Sequence, residues 1–222
     1  IKSANFKGIG APRAELFFPM LFDKIDPNVF QDKRQLFSEF WDFKRENSAF
    51  LGTQFHLNQE KKHEKNGFII NPFTEEKFKL ITHNKIFDNE SVVYNLKDLE
   101  DGAYSEILLF DLEVGVAGQV DELFVKTIKK KKNIWINDSK TNEEKPDKSN
   151  MQKAYPPLDE LDNCKHNKYS MQLSSYAYIL ERAGCVIQDL AYTFYKDYNE
   201  ECYETVKVEY YRDFCEKIFQ KV

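Results

Sequence analysis

Between Pro27 and Lys65 apolar residues return at helical spacing: Val29, Phe30, Leu36, Phe37, Phe40, Trp41, Phe43, Phe50 and Phe55 are separated by polar interludes. This pattern predicts one or two long helices, the second starting at Asn47 or Ser48 as N-cap and ending at the "NGF" of 66–68. Ahead of them, residues 1–22 mix Gly, Pro and aromatics without a period and read as a loop leading to a short helix. From residue 67 the period shortens. "GFIINP" and "EKFKLIT" read as short strands, 105–111 and 116–127 as a pair folded about "DLEVG", and "NIWIND" as a strand after a lysine-rich turn. Residues 142–168 carry Pro146, Pro156, Pro157 and many charges, which predicts a mobile connection. "KYSMQLSSYAYILERAG" has the stripe Met171, Leu173, Tyr176, Ala177, Leu180 and a terminating Gly184, so it reads as a helix. Strands at "VIQDLAYTFYKD" and "YETVKVEYY" and a closing helix at "RDFCEKIFQKV" complete the chain. The order predicts an α/β fold with a mixed central sheet flanked by helices. A single domain spans 1–222, with a helical part at 1–65 and a sheet core at 66–222; there is no internal repeat.

Hairpin geometry gathers charge on this sheet. Asp121 and Asp138 are centred on the lysine turn at 129–130, and Glu106 and Asp121 on the turn at 113–114, so the three acids become near neighbours on adjacent strands. The apolar "IWI" runs into Asp138, and Lys140, two residues on, projects from the same face. Unpaired carboxylates on adjacent strands repel. A divalent cation removes the conflict, because Mg²⁺ or Mn²⁺ takes carboxylate oxygens while keeping waters for chemistry. An isolated Asp-x-Lys is more often a solvated ion pair, and the register is what lifts this one above that reading.

Composition narrows the picture further. With 41% hydrophobic residues, 19 Phe and 12 Tyr, the 222-residue chain can bury a real core, and 31% charged residues give it a solvated surface. The net charge of −5 argues against a protein that coats nucleic acid, though not against an enzyme that handles phosphates through metal ions and local lysines such as the "KTIKKKK" of 126–132. Those lysines sit at a hairpin tip, at the far end of the strands from Asp138. Cys164, Cys185, Cys202 and Cys215 form no CxxC pair, which disfavours zinc or iron–sulfur sites and suggests buried thiols in a reducing compartment. No apolar run is long enough to span a bilayer, and no signal-peptide pattern opens the chain. Ile1 is not an initiator Met, as in a fragment or a trimmed chain.

The assembled residues resemble the PD-(D/E)XK nuclease superfamily, in particular its RecB-like exonuclease branch. That branch carries "GxxD", then an apolar strand ending "DxKT", then a helix with "QxxxY". Here these stand as Gly118 and Asp121, then Asp138, Lys140 and Thr141, then Gln172 and Tyr176. The branch also has a helical "GxxxH" upstream, matched by Gly52 and His56, with Glu60 one turn on. The resemblance covers about residues 35–195 and implies a restriction-endonuclease-like core. It implies one or two Mg²⁺ or Mn²⁺ ions held by His56, Asp121, Asp138 and the backbone carbonyl of Ser139. Lys140 would orient or help deprotonate the attacking water, and Gln172 would lie near the lysine and the phosphate. Glu106 is either a ligand of a second metal or an outer water, or a structural partner of a lysine. Tyr176 is either a substrate contact or a core residue. His63 reads as solvated, and His83 and His166 as structural or surface residues. The four-cysteine pattern that holds a cluster in some relatives is missing, so no iron–sulfur cluster is expected. The implied activity is a metal-dependent deoxyribonuclease, an exonuclease acting on ends or single strands in replication, recombination or repair. It would work in the cytoplasm, or in the host-cell cytoplasm for a viral protein, and the Lys- and Asn-rich composition looks phage-like. The alternatives are an RNA endonuclease of the same fold and a catalytically idle nucleic-acid-binding or assembly module.

Overall fold

The computed structural model describes residues 33–82, 99–113, 115–142, 145–149, 152–196 and 198–219. The loop and short helix expected over 1–22, and His83, lie outside them. The chain divides into two compact units, 1–50 and 51–222, and the sheet with every candidate site residue belongs to the second.

Helix α1 (Lys33–Asn66) is continuous over 34 residues, so of the one or two helices predicted a single one forms, with no second start at Asn47 or Ser48. Each of those residues costs an interior helix position only about half a kcal/mol, and no proline intervenes to force a stop. The helix ends where the sequence says: Gly67 takes φ +71°, and its N–H donates to the His63 carbonyl at 2.8 Å. Strands β1 (Phe68–Ile70) and β2 (Lys77–Lys79) then form a small antiparallel pair. Their Ile69 and Phe78 pack with Ala103, Phe124 and Trp135 on one face of the main sheet.

That sheet has five strands, β3 (Gly102–Asp111), β4 (Val116–Ile128), β5 (Lys131–Asn142), β6 (Val186–Lys196) and β7 (Tyr203–Val208), side by side in chain order. Neighbours are antiparallel except β5 and β6, which run parallel across the connection that contains helix α2 (Lys165–Arg182). The fold is thus α/β with a mixed central sheet, as the order of elements predicts. Gly184, at φ +92°, follows the C-cap of α2, and helix α3 (Arg212–Phe219) packs Cys215 and Phe219 against Tyr178. Cys164, Cys185 and Cys215 are buried, whereas Cys202 is exposed, against expectation.

Strand β5 corrects the reading of a strand that ends on its charges. It continues through Asp138, Ser139 and Lys140 to Asn142, because β6 supplies a parallel ladder the whole way, from Asn133↔Val186 to Asn142↔Lys196. Only a partner 53–54 residues downstream could reveal this.

The principal core lies between this sheet and α2, with Leu173, Ala177 and Leu180 facing Leu123, Ile134, Ile136, Leu190 and Tyr192. Its lining exposes a slip in the strands' alternation. On β3 the core residues are Tyr104, then Ile107 and Leu109; on β4 they are Val116 and Val120, then Leu123 and Val125. The period of two breaks at Glu106 on one strand and beside Asp121 on the other. Pairing is unchanged across the break, from Ser105↔Glu122 to Ile107↔Val120, so both strands slip at the same rung. Glu106 sits there at φ +57°, a left-handed conformation that costs a non-glycine residue on the order of 1–2 kcal/mol. Its carbonyl accepts from the Gln119 side-chain amide at 3.3 Å.

Candidate metal centre

The slipped rung brings the acids together. Glu106 and Asp121 fall opposite one another between the two flanking pairs, as the centring of the hairpin predicts. The β4–β5 ladder closes at Glu122↔Asn137, which puts Asp121 beside Asp138. There the Ser139 N–H donates to the Asp121 carboxylate at 2.7 Å. That bond fixes the Asp121 carboxylate against the backbone of β5.

Helix α1 delivers His56 between two of these acids. Its Nδ1 lies 3.3 Å from Glu106 Oε1 and 3.4 Å from Asp121 Oδ2. The hydrogen bond to Glu106 raises the His56 pKa against the opposing effect of burial, with the Asp121 charge adding to the rise. Burial, and then the neighbouring Asp138 charge, push the Asp121 carboxyl well above the ordinary range. One ligand atom from each of His56, Glu106 and Asp121 falls within 4.8 Å of the others, so this group could hold a metal ion. Glu106, which the sequence left between two roles, belongs to that group.

Asp138 stands apart from it. Its side chain is 2% exposed and its Oδ2 is in contact with the Lys140 ammonium. Burial raises the Asp138 carboxyl, opposed by Lys140. Burial works against the ammonium too, but Asp138 and Asp121 hold its pKa above the ordinary value. Lys140 also donates to Gln172 Oε1 at 3.2 Å and lies 4.9 Å from the centre of the Tyr169 ring. The same Gln172 donates from Nε2 to the Tyr176 hydroxyl at 2.8 Å. Of the two roles weighed for Tyr176 the ring takes the core one, 8% exposed, and its hydroxyl fixes Gln172. Gly118 explains how the ring fits, since a Cβ there would stand 2.3 Å from Tyr176 Cε1.

His63 overturns the expectation of a solvated residue. Its side chain is only 12% exposed, with Nε2 3.5 Å from Glu122 Oε1 and Nδ1 3.5 Å from Ser105 Oγ. Burial lowers its pKa, and burial raises Glu122 from the usual 4.5 to about 7. Glu122 escaped the sequence reading altogether. The available signal was its place next to Asp121, together with the seven-residue spacing of His63 from His56. His166 is structural, its Nδ1 3.1 Å from the Tyr192 hydroxyl.

The connection after β5, expected to be mobile, is held by bonds of its own in its described parts. Lys153 and Asp162 form an isolated bridge, Ala154 N–H donates to the Leu161 carbonyl, and His166 N–H to that of Asp147. Its ion pairs lead to β7 through Lys145–Glu204 and to α3 through Glu160–Lys217. The lysine tip is a two-residue turn, Lys129 and Lys130 both at positive φ, some seven residues or ~23 Å along β5 from Asp138. Among the described residues no helix is long and apolar enough to cross a membrane. No family model, curated protein or solved structure matches the chain.

Proposed function

We propose that this chain is a divalent-metal-dependent nuclease that hydrolyses phosphodiester bonds of DNA, working from ends or on single strands, on a core of the PD-(D/E)XK type. One observation carries the reading: the convergence of His56, Glu106 and Asp121 beside the buried Asp138–Lys140 pair. The chain order of helix, three antiparallel strands, helix and parallel strand supports it, because that order sets the histidine, the acids, the lysine and Gln172 around one point.

One imidazole nitrogen and several carboxylate oxygens suit Mn²⁺ or Mg²⁺. Three acids, Asp138 buried and Glu106 and Asp121 half-buried, with one lysine and one histidine between them also carry surplus negative charge that a cation would offset. His56, Glu106 and Asp121 would hold the ion, with Asp138 next to them. When bound, it supplies Lewis-acid polarisation of a phosphoryl oxygen and compensates charge in the transition state. The protein supplies the rest. Lys140, kept cationic by Asp138, stabilises negative charge on the phosphate and orients a water. Gln172 and the Tyr169 ring limit where its ammonium can point, and Tyr176 limits Gln172.

The test is a digestion series with Mg²⁺ or Mn²⁺ on labelled single- and double-stranded DNA and RNA. Metal-dependent cleavage of DNA that disappears in Lys140→Ala is the expected result. Cleavage of RNA alone would replace the substrate assignment with an RNA endonuclease. No cleavage of any substrate would replace it with an idle binding module, and equal cleavage by Lys140→Ala would refute the mechanism.

A further inference from the structure

The segment of α1 within the sheet-bearing unit, residues 51–66, has Phe55 as its one buried residue. The Phe55 ring packs against Tyr195 with centroids 4.8 Å apart. One buried ring holds a helix to a sheet but does not fix its rotation or its slide, and the solvent-exposed ion pair of Lys62 with Glu200 is a weak constraint on either. Yet His56 has to meet two carboxylate oxygens within a few tenths of an ångström, so something polar must set both.

His63 is placed to do this. Seven residues at 100° per residue return to within about 20° of the same face, some 10 Å further along the axis. His56 and His63 therefore descend from one face of α1, and they land on consecutive residues of two strands. His56 meets Glu106 and Asp121, and His63 meets Ser105 and Glu122. The contact partner of His63 is itself immobilised. Glu122 Oε2 accepts from Asn137 Nδ2 at 2.9 Å, Asn137 Oδ1 accepts from Thr193 Oγ1 at 3.0 Å, and Thr193 pairs with Thr205 Oγ1 at 3.1 Å. This row of bonds crosses β4, β5, β6 and β7. Asn137 is 3% exposed and Thr193 4%, so the row is a buried polar network whose members satisfy one another.

We propose that His63 and Glu122 are positioning residues, locking residues 51–66 of α1 against β3 and β4 in the one rotation and register that sets His56 between Glu106 and Asp121. The inference deepens the metal-site reading and rests on it for its functional meaning, but its geometric content concerns the metal-free chain. His63 acts through His56 and touches neither metal nor substrate.

The experiment uses the full chain in two arms at one pH near 7.5. The metal-free arm records ring resonances of isotopically labelled histidine by NMR in wild type, His63→Leu and His63→Gln. In His63→Leu the His56 ring signals move to those of a solvent-exposed histidine. In His63→Gln, whose amide can still bond Glu122 and Ser105, they stay near wild type. The second arm titrates Mn²⁺ calorimetrically into wild type, His56→Ala, His63→Leu and the double variant. His63→Leu weakens binding about tenfold in wild type but less than twofold once His56 is alanine. An unmoved His56 signal in folded His63→Leu would overturn the proposal, as would an equal loss of affinity in both backgrounds. Absence of Mn²⁺ binding by wild type, with the NMR response intact, would instead sink the metal reading and leave the positioning role standing.

Discussion

Replacing Glu122 by Gln tests the electrostatics of the sheet without reference to any substrate. Glu122 keeps a proton up to about pH 7 in the fold, because burial outweighs the Asn137 hydrogen bond, whereas its usual value is 4.5. Below pH 4.5 both folded and unfolded chains hold the proton, and the residue contributes no pH dependence. Between 4.5 and about 7 the unfolded chain releases it first, so stability falls as pH rises. Above about 7 the loss is complete and constant. At ~1.4 kcal/mol per tenfold change in a protonation equilibrium, the full difference is about 3.5 kcal/mol. The side chain retains 13% exposure, which lets water relieve part of this, and about 2 kcal/mol is a fair expectation. Glutamine keeps the shape of the protonated acid and can accept from Asn137 while donating to His63 Nε2. Glu122→Gln is therefore expected to match wild type near pH 4.5 and to exceed it by about 2 kcal/mol at pH 8. Urea unfolding followed by circular dichroism across this range gives the difference directly, and contributions from distant groups cancel in it. A difference that stays flat with pH, or that favours wild type at pH 8, would refute the reasoning.

Other outcomes follow from single contacts. Gly118→Ala sets a Cβ against the Tyr176 ring and is expected to cost about 1–3 kcal/mol in urea unfolding, with nuclease activity lowered as Gln172 shifts. Tyr176→Phe keeps the ring but frees the Gln172 amide, so it should leave stability within about 1 kcal/mol while lowering the cleavage rate. Lys130→Gly relieves a left-handed residue at the β4–β5 turn and should stabilise by about 1 kcal/mol. Mn²⁺ at a hundred times its dissociation constant should stabilise wild type by ~2.7 kcal/mol, seen as a rise in Tm, and Asp121→Asn should remove most of that rise.

Much of the site was legible because its parts are joined by hairpins. Two strands linked by a short turn have a register fixed by where the turn is centred, so Asp121 could be set against Glu106 and against Asp138 by position alone. The slip at the same rung also leaves a trace, since Val116 and Val120 on β4 give way to Leu123 and Val125. The helices α1 and α2 announce their ends through Gly67 and Gly184, because a left-handed residue after a helix favours glycine.

What the chain order alone could not decide depends on segments that meet from far apart. Whether β5 stops at Asp138 rests on β6, whose parallel ladder carries the strand on to Asn142. Whether His63 is solvated rests on how residues 51–66 of α1 lie over β3 and β4, which no local period encodes. The division of labour among the acids is tertiary as well: Asp138 turns to Lys140, and Glu106 joins His56 and Asp121. By itself, then, the sequence determined most elements, their order and the placing of Glu106, Asp121, Asp138 and Lys140 on one patch, since periodicity and short turns are local physics. Which carboxylate faces the lysine, which faces the histidine and what holds that histidine in place were decided by the tertiary structure, because long-range packing sets those distances and electrostatic partners change with them.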